Sequence, residues 1–336
     1  MGWVARAAEL GPAYMPIIGD TSARGAVEDR QGGGRIAIPW TASSGILAAM
    51  EHRPLGPSGP HVYPIGLGAM PLSIHGRPSD GEALRVLLAA FEAGMTLVDT
   101  ADAYCLDDGD VGHNERLIAR ALGEWGGGPV VVATKGACVR PGGAWAVNGH
   151  PDHLRRACHA SLRALGVEAI DLYQLHAPDD RVPFADSVGA LAELLAAGKI
   201  RHVGLSNVSA AQIRAAQAIV PIASVQNRCS PFHRAAWRDG VLAHCQREGI
   251  AFLAYGPVGG HGGQGRTADD ASLNAVARRH GVSPFRVALA WLLAKSPVML
   301  PIPGASRVAS AVDSAGAARL ALTGDDLKEL DTAFPT

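Results

Sequence analysis

From residue 65 onward, short runs rich in Val, Ile and Leu alternate with longer stretches whose apolar residues recur at helical spacing, and this alternation constrains the fold more than any other feature. The pattern predicts strands at 65–69, 96–99, 130–134, 170–175, 200–205, 222–226, 250–254 and 298–302. Between them it predicts helices over 80–93, 114–123, 151–164, 184–197, 209–218, 235–248 and 270–295, the last interrupted at Gly281 and Pro284, with another at 307–317. Gly94, Gly166, Gly198 and Gly249 stand immediately before the next strand, where helix C-terminal caps belong. Eight βα repeats in about 270 residues match a closed (β/α)8 barrel of the TIM type better than a doubly wound open sheet. The first strand reads GLGAMP and lacks the third glycine of a dinucleotide fingerprint, so a Rossmann site is not expected.

The 336-residue chain is long enough for two domains, yet α/β barrels routinely exceed 200 residues as one unit. Residues 1–49 read differently from the rest, with scattered Gly, Pro and Ala and a QGGGR segment at 31–35. They are expected to be a poorly ordered N-terminal extension, or a product of an upstream start ahead of Met50, with the barrel over 50–336. Thirty basic against 31 acidic residues give a net charge of −1, which provides no field for nucleic acid or an anionic membrane. No apolar run reaches the length of a membrane span, so a soluble protein without membrane or nucleic-acid partners is expected. The five cysteines Cys105, Cys138, Cys158, Cys229 and Cys245 form no CxxC pair and follow no secretory signal, which fits reduced thiols in a cytoplasm. His150 and His153 lie near His159, on or just before one predicted helix, but gather no cysteine or carboxylate set, so no metal site is expected.

Function in a barrel collects at the C-terminal ends of the strands. The second strand runs into VDTADAY, placing Asp99 at its tip and Tyr104 just beyond; the third ends in ATK at Lys135, and the fourth in QLH at His176. A carboxylate, a phenol, an ammonium and an imidazole can thus converge. After the seventh strand comes GPVGGHGGQGR at 256–266, which lacks the ending of a phosphate loop and reads, from glycine content alone, as a flexible surface loop.

The segments GLGAM, VDTADAY, GHNERLIARAL, ATK, LGVEAIDLYQLH, GKIRHVGLSN, VQN, LAYGP and PIPGASR occur in that order from residue 52 to the last helix, and in this the chain resembles the aldo-keto reductase family. The resemblance implies a (β/α)8 barrel with a short N-terminal β-hairpin and a catalytic tetrad of Asp99, Tyr104, Lys135 and His176 that reduces a carbonyl, which needs a hydride at carbon and a proton at the developing alkoxide oxygen. In such a tetrad Tyr104 would supply the proton, with Lys135 expected to favour the phenolate and so sharpen the acid; Asp99 would keep the lysine charged, and His176 would orient the carbonyl. The resemblance also implies NADPH as cofactor, with NADH the lesser alternative, and a small-molecule carbonyl (aldehyde, ketone or keto-sugar) as substrate. Ser206, Asn207 and Gln226 match the groups that hold the nicotinamide carboxamide, and Tyr255 the ring on which the nicotinamide stacks. Gly256 opens a glycine-rich loop that now matches the pyrophosphate cover. Gly304, Ala305, Ser306 and Arg307, followed by Ser310, Asp313 and Ser314, match the segment around the adenosine ribose and its 2′-phosphate. Many members continue past the arginine with Pro, a polar pair and a later Asn. This chain reads RVASAVDS instead, leaving Arg307 as the obvious cation for the phosphate.

Two loops should shape the substrate entrance: CLDDGDVGHNE, carrying Asp107, Asp108 and Asp110, and GACVRPGGAWAVNGH, carrying Arg140 and Trp145. The aspartates bias the entrance toward cationic or polyhydroxylated substrates, whereas Arg140 could pair with them or receive an anionic group. The chain ends shortly after the final helix, so an open mouth without a long C-terminal lid is expected. Two other classes remain open: a nicotinamide-binding regulatory subunit with negligible turnover, and a lyase or isomerase using a Schiff-base lysine. The sequence leaves the oligomeric state undetermined.

Overall fold

A computed structural model describes residues 52–260 and 262–336. Twelve strands fall among them: β1 Arg53–Pro54, β2 His61–Val62, β3 Leu67–Gly68, β4 Leu97–Asp99, β5 Val131–Gly136, β6 Cys138–Val139, β7 Ala146–Val147, β8 Ile170–Leu175, β9 Ile200–Ser206, β10 Ile222–Arg228, β11 Ala251–Tyr255 and β12 Met299–Ile302. Eight form one sheet in the order β12-β11-β10-β9-β8-β5-β4-β3, and every neighbouring pair is parallel. The two edge strands then meet each other. Gly66 N donates to Pro301 O at 3.0 Å and Gly68 N to Pro303 O at 2.9 Å, and Gly68 bridges Gly304 in parallel. The sheet is therefore a (β/α)8 barrel, with all eight expected strands in place.

The closure depends on glycine. A Cβ on Gly68 would lie 2.8 Å from the Ile302 carbonyl oxygen, and one on Gly304 2.8 Å from Pro71. The GLGAM motif thus serves a backbone approach, strand against strand rather than strand against phosphate. At the opposite end, the antiparallel β1–β2 hairpin sends Leu55 and Val62 into the cluster formed by Leu97, Ala133, Leu172, Ala223, Ala251, Leu253 and Leu300. The hairpin fills the N-terminal end of the barrel and leaves the C-terminal end for chemistry.

The helices form where the sequence carries their caps. Ser79 and Glu82 make a reciprocal capping box before 80–92, Ser209 and Gln212 another before 210–217, and Thr323 and Asp326 a third before 324–333. Gly166, Gly198, Gly249 and Gly281 all take left-handed φ, between +63° and +69°, where the preceding helix stops. The expected helix over 235–248 is divided into 235–238 and 241–248, because Gly240 adopts φ +75°. Two helices lie outside the sequence expectation: 264–269, within the segment read as loop, and 324–333. β6 and β7 form a small antiparallel hairpin inside the loop after β5. The extension expected over 1–49 lies outside the described residues.

The final helix is anchored by one buried carboxylate. Asp326 accepts from Arg279 Nη2 at 2.7 Å, from the Thr323 hydroxyl at 2.7 Å and from Thr323 N at 2.9 Å, and lies 2.7 Å from His280 Nε2. Burial pushes this carboxyl upward, but the bonds from His280, Thr323 and Arg279 together hold it below the usual range. Asp179 is likewise lowered, to about 2, chiefly by Arg181. Asp326→Ala is expected to cost about 2–3 kcal/mol, a lost cap plus charged hydrogen bonds discounted for half-exposed Arg279. Urea denaturation measures this, and a loss under about 0.5 kcal/mol, ordinary for a surface substitution, would refute the anchor. Both carboxyls are depressed on folding, so their stabilisation is complete above about pH 4 and is lost as the pH falls toward 2. Asp326→Asn should accordingly flatten the acid limb of the stability curve relative to wild type.

Candidate active site

The barrel closes around one buried lysine. Lys135, near the end of β5, is 0 % exposed, and its ammonium donates to Asp99 Oδ1 at 2.6 Å, to the Thr100 carbonyl at 2.7 Å and to the Tyr104 hydroxyl oxygen at 2.9 Å. An ammonium has three hydrogens, and three acceptors take them. Because the phenol oxygen accepts from lysine, its own proton is directed elsewhere. Asp99, at the tip of β4, is satisfied on its other oxygen by Gln226 Nε2 at 2.7 Å and Gln174 Nε2 at 3.2 Å. Gln174 escaped the sequence reading. It is wholly buried two positions before His176 on β8, and strand alternation puts both on the same, inward face. Its signal was available, since a buried amide on the inward face of a barrel strand must find partners. Gly204 makes room for it: a Cβ there would lie 2.7 Å from Gln174 Cγ.

The ring of His176 packs edge-on to that of Tyr104 with centroids 5.7 Å apart, so the four expected residues are brought together. Burial, reinforced by the Lys135 charge, pushes the His176 imidazole well below its ordinary value, which leaves it neutral near pH 7. Burial also raises the Tyr104 phenol well above its ordinary value, with the Asp99 carboxylate adding to the rise. This corrects the expectation that Lys135 tips the phenol toward phenolate. Lys135 is itself lowered by burial, against the opposing pull of Asp99.

Asn207 ties the next three strand ends together. It sits at φ +60°, uncommon for a residue other than glycine, and donates from Nδ2 to the His176 carbonyl at 2.9 Å and to the Ser206 hydroxyl at 3.1 Å. Its Oδ1 accepts from the Tyr255 hydroxyl at 2.8 Å. Ser206, Asn207, Gln226 and Tyr255 therefore all stand at the mouth beside His176, although the Gln226 amide is turned to Asp99. Gly256 follows with φ +60°, and Gly304 lies at the barrel closure. Arg307 is exposed at the N-terminus of the helix 308–315 and enters none of the ion pairs among the described residues. Ser310 is half-buried on the first turn of that helix and Ser314 is buried. Asp313 faces away from the others: its carboxylate accepts from Ser283 Oγ at 2.5 Å and pairs with Arg286 Nη2 at 2.9 Å, joining two helices.

The entrance loops have a definite internal structure. Arg140 is buried and donates to the carbonyls of Cys105 at 2.6 Å, Leu106 at 3.0 Å and Gly143 at 2.7 Å, with its guanidinium over the Trp145 ring at 4.2 Å. Trp145 in turn lies edge-on to His176 with centroids 6.5 Å apart. Of the three aspartates, Asp110 pairs with Arg77 at 2.5 Å. Asp107 and Asp108 are exposed, and their carboxylates accept from the backbone N–H groups of Gly109 and Gly142. Asn114, from the GHNE segment, holds the start of this loop: it accepts from the Thr100 hydroxyl at 2.6 Å and donates to the Ala69 carbonyl at 2.9 Å. Among the described residues no group of three or more His, Cys, Asp or Glu is placed to hold a metal ion, and no helix is long and apolar enough to cross a membrane.

Comparison with known proteins agrees with the barrel fold. An uncharacterized oxidoreductase of Schizosaccharomyces pombe is 35% identical over 297 residues, covering 87% of this chain and 93% of that protein. A probable aldo-keto reductase of Glycine max is 32% identical over 310 residues, covering 84% and 88%. Among solved structures, an aldo-keto reductase from Klebsiella pneumoniae in complex with NADPH superposes with a TM-score of 0.72 at 26% identity, over 85% of this chain and 95% of that one. The sequence model of the Aldo/keto reductase family matches residues 64–334. The chain belongs to the aldo/keto reductase family and is an NAD(P)H-dependent oxidoreductase.

Proposed function

We infer that the protein reduces the carbonyl of an aldehyde, ketone or keto-sugar to the alcohol with NADPH, Tyr104 acting as general acid. The observation that carries this reading is the Lys135 ammonium, whose three donors go to Asp99, Thr100 and Tyr104, leaving the phenol proton for a substrate oxygen. Bound reduced nicotinamide supplies the hydride. The residues fit such a cofactor. Gly256 and Gly260 take left-handed φ of +60° and +72°, and a Cβ on Gly256 would lie 3.4 Å from Gly260 Cα, so the loop after β11 offers bare peptide groups where a phosphate could approach. Ser206 and Asn207 supply hydroxyl and amide groups for the carboxamide, beside a Gln226 whose Nε2 is committed to Asp99; Tyr255 supplies a ring face, and Arg307, with Ser306 and Ser310, a cationic end for a 2′-phosphate.

The chain's own part in the reaction follows from the geometry. His176, neutral, donates one N–H to the substrate oxygen and fixes its direction. Tyr104 passes its proton to the same oxygen as alkoxide character develops, and the phenolate that remains is stabilised where it forms by the Lys135 ammonium it already contacts. Asp99 keeps that ammonium in place. In the ground state burial holds the proton on the phenol; in the transition state the adjacent cation lowers the cost of releasing it.

Tyr104→Phe is expected to reduce the carbonyl-reduction rate at least about 100-fold, the usual scale of general acid catalysis, with NADPH affinity within about twofold of wild type. Steady-state rates and cofactor fluorescence measure the two; retention of a tenth of the rate would contradict the assignment. Arg307→Ala should raise the Michaelis constant for NADPH about ten- to a hundredfold and leave that for NADH nearly unchanged, because a charge-assisted bond to phosphate is worth roughly 1.5–3 kcal/mol. Equal effects on both cofactors would remove Arg307 from the 2′-phosphate.

Substrate charge follows from the entrance. Arg140 is engaged by three carbonyls and a ring, so it offers a substrate carboxylate little, while Asp107 and Asp108 stay exposed. Neutral hydroxylated or cationic aldehydes should outperform matched carboxylate-bearing ones, and the difference should shrink as salt screens the aspartates. Assays of a charge-matched aldehyde series at low and high ionic strength decide it; preference for the carboxylate would refute the reading.

A further inference from the structure

Arg228 has no part in the tetrad or in the groups assigned to the nicotinamide, yet it stands beside both. It ends β10, two residues past Gln226, and pairs in parallel register with Tyr255 of β11. Its guanidinium crosses the glycine-rich loop: Nη2 donates to the Gly259 carbonyl at 3.2 Å. Its Cγ would lie 4.0 Å from a Cβ on Gly256, and Nη2 3.9 Å from one on Gly260. Three of the loop's glycines, Gly256, Gly259 and Gly260, carry positive φ, and Gly259 is packed so closely on Gly263 that a Cβ would lie 2.2 Å from the Gly263 carbonyl oxygen. A Cβ is thus excluded at Gly259, and a long cationic side chain, that of Arg228, is laid against the turn.

That cation is exposed and makes no ion pair with a carboxylate among the described residues. A guanidinium has five N–H donors, and the Gly259 carbonyl takes one. Arg266, at the end of the same glycine-rich segment, is engaged otherwise, its guanidinium lying over the Phe232 ring at 4.4 Å. A fork of free donors on bare peptide groups matches the geometry of a phosphate oxygen pair, which arginine binds in bidentate fashion.

We propose that Arg228 is a pyrophosphate-binding residue that also latches the glycine-rich loop. One N–H holds the loop through Gly259, and the remaining donors of the fork meet the pyrophosphate of the dinucleotide beneath it. The proposal rests on the cofactor reading above and goes beyond it by dividing the two phosphate groups between two arginines, Arg228 for the pyrophosphate and Arg307 for the 2′-phosphate. NADPH and NADH share the first group and differ in the second, so the two arginines should have opposite signatures.

The test is equilibrium binding of NADP+, NAD+ and 2′-AMP to wild type, Arg228→Met, Arg228→Lys and Arg307→Ala, followed by calorimetry, with thermal melts to show that each variant is folded. The compound 2′-AMP carries the 2′-phosphate but no 5′-phosphate, and so neither half of the pyrophosphate. Arg228→Met should weaken NADP+ and NAD+ by a similar factor of about ten or more, as expected for a charged hydrogen bond, and leave 2′-AMP within about twofold. Arg228→Lys should fall between, and the loss should diminish at high salt. Binding of both dinucleotides within about twofold of wild type, a loss confined to NADP+, or an equal loss of 2′-AMP would each overturn the assignment. Failure of wild type to bind either dinucleotide would instead overturn the cofactor reading itself.

Discussion

A lysine ammonium with no exposure to water is the interaction on which the rest of the site depends. Leaving such a charge unpaired would cost about 3–5 kcal/mol, so every hydrogen on Lys135 needs an acceptor and every acceptor a fixed position. Asp99 is fixed by two glutamines from β8 and β10, Thr100 by its bond to Asn114, and Tyr104 by the loop that Arg140 clasps. Strands β4, β5, β8 and β10 are thereby committed to one nitrogen. The same burial that makes the pairing obligatory raises the Tyr104 phenol and lowers the His176 imidazole, so one cause acts on the whole cluster.

The barrel makes that arrangement available by where it uses glycine. Gly66, Gly68 and Gly304 let the first and last strands meet, and Gly204 leaves space for Gln174 in the interior. The β1–β2 hairpin fills the other end with Leu55 and Val62, which confines access to the face where the polar strand ends gather. The glycines after β11 act differently: they keep side chains off a loop whose peptide groups face the proposed phosphate site.

Much of this was legible in the chain. Strands that are apolar along their whole length and bounded by glycine-capped helices announce a parallel barrel, and polar residues at the tips of such strands stand out because nothing apolar explains them. The two unexpected helices failed to register for separate reasons. QGRTAD at 264–269 has no apolar period, whereas 324–333 carried a readable Thr323–Asp326 capping box that went unused. The direction of the Tyr104 shift could not be read, because it depends on how completely the loops exclude water, a property of closure rather than spacing. Arg140 was similarly ambiguous, since only the folded loops decide between aspartates, substrate and backbone carbonyls. Asp313 shows the converse: a position matched by family pattern turns to Ser283 and Arg286 when those residues are within reach.

The most direct measurement of the account is single-turnover hydride transfer in Lys135→Met preloaded with NADPH, monitored by the loss of nicotinamide absorbance on mixing with a reactive aldehyde. The account predicts a first-order rate at least about 100-fold below wild type, the scale of general acid catalysis, with the NADPH dissociation constant within about twofold. A rate within tenfold of wild type in a folded, NADPH-bound variant would show that the buried ammonium is not what enables Tyr104 to release its proton.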